Sequence, residues 1–139
     1  MAHKRFQGRS KSKYRNVPVY ACAKPGCPGS YEASRPRECG YCQGEDFDCF
    51  ASIKEFRRWR ELQLLQLGGV ISGLTRQVPF LIVVNGVKIC KFIVDHQYRN
   101  DVGEPIVEDV KTIATMTAVY RLKKKLVGAV YGVVITEYL

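Results

Sequence analysis

Four cysteines in two tight pairs constrain this chain more than any other feature. Cys22-Ala-Lys-Pro-Gly-Cys27 and Cys39-Gly-Tyr-Cys42 stand eleven residues apart. They lie in a stretch from Cys22 to Cys49 that is rich in Gly and Pro and has neither helical nor strand periodicity. Too few apolar side chains are present there to fold around a core, so a cross-link has to do it. Four thiolates at these spacings can surround one Zn²⁺ tetrahedrally, and the Gly and Pro of each pair suit narrow turns that point backbone amides at sulfur. The expectation is a zinc ribbon or knuckle on Cys22, Cys27, Cys39 and Cys42, with Cys49 or His3 as a replacement for one ligand. The gap in the first pair is wider than the usual two residues. Cys90 sits within a strand-like run as a small core residue.

The compartment decides between metal and disulfides. The opening MAHKRFQGRSKSKYR has the charge of an export signal but no apolar stretch behind it, which predicts a cytoplasmic chain and reduced thiols. The longest apolar run, LVGAVYGVVI, is half of what a membrane span needs and is broken by glycines. With 139 residues, 46% of them apolar, the chain can build one compact domain with a small appendage. A net charge of +9 favours polyanionic partners, nucleic acid first. No acidic residue occurs from Met1 to Tyr31, and residues 1–13 read as a flexible basic arm.

Residues 14–50 form the zinc-binding segment and 51–139 the main domain. SIKEFRRWRELQLLQLGG predicts a helix over about 52–67, with Phe56, Trp59, Leu62 and Leu65 available for an inward face and Gly68-Gly69 ending it. QVPFLIVV and VKICKFIVDHQY, joined by Asn85-Gly86, predict a β-hairpin. The turn NDVGEP and the strand IVEDVK follow. A second helix over about 115–131 carries Arg121, Lys123, Lys124 and Lys125, and Gly132 stops it before the strand VVITEY. The order is helix, three strands, helix, strand. Tyr120 and Tyr131 have core spacing.

Asp95, Asp109 and Lys111 interrupt strand-like runs where valine would pack better. Alternate strand residues share a face, so Asp109 and Lys111 point the same way and Glu108 points away. A turn of about a dozen residues brings Asp95 beside Asp109. Two hard oxygen ligands and a backbone carbonyl suit Mg²⁺ or Mn²⁺, which makes a bound water nucleophilic and polarises a phosphate; the lysine neutralises charge that develops on the phosphate oxygens. Asp, thirteen residues, then Asp-Val-Lys matches the PD-(D/E)xK nuclease signature. Glu55 either completes a capping box with Ser52 or reaches this metal site. Gln77 is a candidate water-binding group or an ordinary edge-strand glutamine, and His96, facing away from Asp95, is read as non-catalytic.

The phrases KYRNVPV, FDCFASIKEFRRWREL, QVPFLIVV, KFIVDHQY, VEDVKT and YRLKKKLVGAVYGVVITE together resemble a family of small phage and prophage proteins classed with PD-(D/E)xK endonucleases and likened to Holliday-junction resolvases. The resemblance runs from about Lys13 to the end, apart from the cysteine segment. It implies an active site of Glu55, Asp95, Asp109 and Lys111. The chain departs from the family pattern at Ala51, Phe56, His96 and Thr112, none of them an implied ligand.

The sequence therefore predicts an α/β, PD-(D/E)xK nuclease-like core with a mixed central sheet and an N-terminal zinc-ribbon insertion. Its expected activity is Mg²⁺-dependent hydrolysis of DNA phosphodiester bonds in a bacterial host cell, on branched or junction DNA by resemblance. Lys11, Lys13 and Arg15, with Arg121, Lys123, Lys124 and Lys125, are expected to grip phosphates, as is the ribbon through Lys24, Arg35 and Arg37. Symmetric cutting of a junction would require a homodimer. The rival reading is a non-catalytic zinc-ribbon DNA-binding adaptor with a vestigial core.

Overall fold

The computed structural model describes residues 16–139; the expected basic arm at 1–13, with His3, Lys11 and Lys13, and also Arg15, lies outside the described residues. The chain divides into two compact units, Met1–Ala51 and Ser52–Leu139. Together they form a mixed α/β fold with two helices and two sheets among the described residues.

The first unit is a three-stranded antiparallel sheet in the order β2-β1-β3, from β1 (Val19–Cys22), β2 (Ser30–Glu32) and β3 (Phe47–Phe50). Val19 pairs with both Glu32 and Phe50. Beyond an edge-on contact of Tyr31 with Phe47 at 5.9 Å, the sheet is short, and the cysteine turns lie between its strands.

The second unit runs α1 (Ile53–Leu67), β4 (Ser72–Val84), β5 (Val87–Arg99), β6 (Pro105–Val110), α2 (Ala118–Tyr131) and β7 (Ile135–Tyr138), with one 3-10 turn at Ile113–Thr115. This is the expected order of helix, three strands, helix and strand. The sheet order is β4-β5-β6-β7, antiparallel except for the parallel β6–β7 pair that α2 connects. Asn85 and Gly86, at φ 50° and 77°, make the two-residue turn whose twist matches the strands it joins. Ser52 Oγ accepts the Glu55 amide at 3.1 Å to start α1, and Gly132 at φ 66° ends α2. β4 begins five residues earlier than its hydrophobic pattern suggests, because Ser72–Arg76 pair with the far end of β5.

One face of the sheet carries an apolar cluster of Phe80, Ile82, Phe92, Val94, Val107 and Ile135, closed by Tyr120 and Val127 of α2. Full burial of side chains such as Ile82 and Val94 stabilises by roughly 1.5–3 kcal/mol each. Tyr120 is core, as expected, whereas Tyr131 is 46% exposed and donates its hydroxyl to Leu81 O at 2.6 Å. The opposite face meets α1 through polar groups. The inward stripe of α1 is Glu55, Arg58, Trp59 and Leu62 rather than the expected purely apolar set, with Phe56 only half-buried.

Candidate functional site

β5 and β6 form a ladder from Arg99↔Pro105 to His96↔Glu108, and there it ends. At the next position the Val110 amide is taken by Asp95 Oδ2 at 2.8 Å. The strands fork at that level, and Asp95 and Asp109 lie in the fork. A change of face accompanies it: Val94 packs with the α2 cluster, but His96, two residues on, stacks on Trp59 of α1 at 5.7 Å. Beside it on β4, Gln77 holds a left-handed φ of 54°.

The expected catalytic residues converge at this fork. Asp109 is buried, and its Oδ2 lies 2.8 Å from Lys111 Nζ in an ion pair that lacks hydrogen-bond alignment. Lys111 also lies over the Tyr120 ring at 4.6 Å. Burial pushes the Asp95 carboxyl up to about 8, reinforced by its hydrogen bond to Asp109 and the charges of Asp109 and Glu55, and opposed by the Val110 amide. Two carboxylates side by side require a proton, an ammonium or a metal cation between them. Glu55 Oε1 accepts from Gln77 Nε2 at 3.2 Å and lies 3.8 Å from the Arg76 guanidinium. The cap at Ser52 takes the Glu55 amide, and the Glu55 carboxylate is near enough for its charge to act on Asp95. Glu55 and Asp109 are buried while Asp95 and Lys111 are half-buried, so the cluster opens to solvent past the latter pair.

Glu108 faces away from Lys111, as strand alternation requires. It receives Arg58 Nε and a second guanidinium nitrogen at 2.8 Å each and the Tyr98 hydroxyl at 3.1 Å, with His96 Nδ1 at 3.6 Å. Burial by itself would raise this carboxyl; Arg58, with His96 and Tyr98, outweighs it and holds it down at about 2. Sequence reasoning did not find this network. Its one available signal was Arg58, three residues from Glu55 on the same side of the helix.

The second cluster is sulfur. The Sγ atoms of Cys22, Cys27, Cys39 and Cys42 all lie within 4.8 Å of one another. Cys22–Cys42 and Cys27–Cys39 are each 3.5 Å apart, and the four are free thiols. A tetrahedron with metal–sulfur bonds of about 2.3 Å sets its sulfurs about 3.8 Å apart, so the set fits one Zn²⁺. Amides two residues on, from Lys24, Gly29 and Tyr41, point at the sulfurs of Cys22, Cys27 and Cys39. A Cβ at Gly29 would stand 2.5 Å from Cys39 Sγ, which reserves that position for glycine. The Tyr31 hydroxyl donates to Cys39 Sγ at 3.6 Å and, with nearby amides, draws its thiol down to about 6, favouring the thiolate that zinc takes. Cys49 is not in the group. Among the described residues no carboxylate set closes to the same distance, so the fork lacks the ready-made ligand geometry of the cysteines.

Comparison with protein-family models, curated proteins and solved structures finds no match to this chain.

The basic candidates are divided. Arg121 and Lys125 are exposed on α2, and Lys123 is half-buried. Lys124 is committed to Glu137 at 2.8 Å. Residues 16–51 carry three basic side chains, Lys24, Arg35 and Arg37, against five acids, Glu32, Glu38, Glu45, Asp46 and Asp48. The described part of the cysteine-containing unit is therefore net negative, which argues against phosphate gripping by it. Among the described residues no helix is long and apolar enough to cross a membrane.

Proposed function

We propose that this chain is a metal-dependent endonuclease of the PD-(D/E)xK type acting on DNA. The observation that carries the reading is the meeting of Glu55 of α1, Asp95 of β5, Asp109 of β6 and Lys111 just beyond β6 at a single fork in the sheet. The element order around it and the resemblance in sequence to small phage and prophage proteins classed with PD-(D/E)xK endonucleases support the same assignment. Asp95 and Asp109 would hold Mg²⁺ or Mn²⁺, with Glu55 joining directly or through water; the ion supplies Lewis acidity and an activated water. Lys111, held by Asp109, neutralises charge on the non-bridging phosphate oxygens. Gln77 holds Glu55, and the Val110 amide holds Asp95. The cysteine cluster binds Zn²⁺ and folds the first unit, with no part in hydrolysis.

The test is cleavage of supercoiled plasmid and of synthetic four-way junctions with Mg²⁺, Mn²⁺ or no added divalent ion. Zinc is held constant, since a strong chelator would unfold the cysteine unit. Metal-dependent cleavage that is lost in Asp109→Asn and Lys111→Met, both still folded by circular dichroism, supports the proposal. Metal-independent DNA binding with no cleavage of DNA refutes it and leaves a zinc-stapled binding adaptor. Symmetric incision of the junction would further require a two-fold dimer, readable by sedimentation.

A further inference from the structure

A cleft of about 700 Å³ lies beside α1 in the second unit, lined by Ile53, Lys54, Arg57, Arg58, Glu61 and Tyr138 among others. Its size is within the roughly 300–1,000 Å³ that ligand sites span. Positions 54, 57, 58 and 61 are three or four apart, so one side of the helix presents them all to the cleft.

The charges of this wall are unevenly spent. Arg58 is satisfied by Glu108 and Glu61 and lies 4.3 Å from the Tyr138 ring, so it builds the wall rather than offering free charge. Arg57 is exposed and has no acidic partner among the described residues. Lys54 donates to the backbone oxygen of Lys111 at 2.9 Å and lies 5.9 Å from the Tyr138 ring, both neutral partners. The positive end of the cleft is thus tied by one hydrogen bond to the residue whose side chain pairs with Asp109. At the other end Glu61 is held by Arg58 at 2.8 Å.

We propose that Lys54 and Arg57 form a phosphate subsite that seats the DNA backbone on one side of the scissile bond, an extension that rests on the nuclease reading above. What sets this site apart from the basic face of α2 is its tie to Lys111: Lys54 bonds the Lys111 backbone oxygen, and Arg57 stands exposed one helical turn further along the same cleft. Such contacts position a strand without reading its sequence. The other end of the cleft is closed by the Arg58–Glu61 pair and offers no free cation, so the strand follows the Lys54–Arg57 edge.

Binding of labelled 20-nucleotide single-stranded and duplex DNA to the full zinc-loaded chain, followed by fluorescence anisotropy without Mg²⁺, tests this apart from hydrolysis. Arg57→Glu is expected to weaken binding by about tenfold and to lower the salt slope of log K by about one. Lys88→Glu, the same charge reversal on an exposed position of β5, is expected to change it less than twofold. Equal effects of the two reversals would overturn the subsite, since net charge alone would then explain them. Inorganic phosphate that displaces the oligonucleotide at equal phosphate concentration would overturn the strand assignment. A chain that binds through Arg57 but never cleaves refutes the nuclease reading and leaves only a phosphate contact with no scissile bond to serve; one that cleaves normally with Arg57→Glu overturns the subsite and keeps the nuclease.

Discussion

Replacing Arg58 by leucine would leave Glu108 buried without its guanidinium. The two side chains are 13% and 4% exposed and joined by two contacts of 2.8 Å. Breaking such a pair from one side costs about 3–5 kcal/mol, because the remaining charge loses its partner but not its burial. At about 4 °C per kcal/mol for a chain of this size, the melting temperature should fall by roughly 12–20 °C. Adding Glu108→Gln removes the stranded charge, and the double variant should recover more than half of the loss. The pH dependence has a definite sign. In the wild type the Glu108 carboxyl falls from its ordinary 4.5 to about 2, so its stabilisation is present above pH 4.5 and lost as pH drops through about 2. In Arg58→Leu the buried carboxyl is pushed up instead, so the gap between variant and wild type should narrow as pH falls from 7 towards 4. Urea denaturation with zinc saturating, across that range and for all three variants, measures each quantity. A loss under 1 kcal/mol for Arg58→Leu, or a double variant no more stable than the single, would refute the claim that this ion pair fastens α1 to β6.

Gln77→Gly removes the amide that holds Glu55 and relieves a left-handed backbone worth about 1 kcal/mol in a non-glycine residue; thermal melting should hold or rise while DNA cleavage drops at least tenfold. Gly29→Ala drives a methyl group into Cys39 Sγ and should abolish stoichiometric zinc, read by a colorimetric zinc-release assay, with the melting of the second unit unchanged. Chelation of zinc from the wild type should unfold the β1–β3 sheet, seen as new protease cuts between residues 16 and 51, because so short a sheet relies on the metal.

Much of this molecule was legible locally. Asn85-Gly86 specifies its turn by the φ values it tolerates, Ser52 and Gly132 bound their helices by capping, and the cysteine pairs by their spacing indicate a metal. Period-two alternation sufficed to place Asp109 and Lys111 on one side and Glu108 on the other. Each of these depends on chemistry within a few residues. What the sequence left open depended on register between distant segments. That β4 extends back to Ser72 follows only from its pairing with β5. That the Glu55 carboxylate meets Gln77 of β4 follows from where α1 lies against the sheet. The polar seam of Arg58, Glu108 and His96, which no apolar pattern announces, exists because residues 50 apart are buried together and their charges must be matched there. Turn chemistry and alternation, set by near neighbours, already brought Asp95, Asp109 and Lys111 together, whereas the approach of Glu55 and the Arg58–Glu108 seam depend on how α1 packs on the sheet, and only the folded chain decides that.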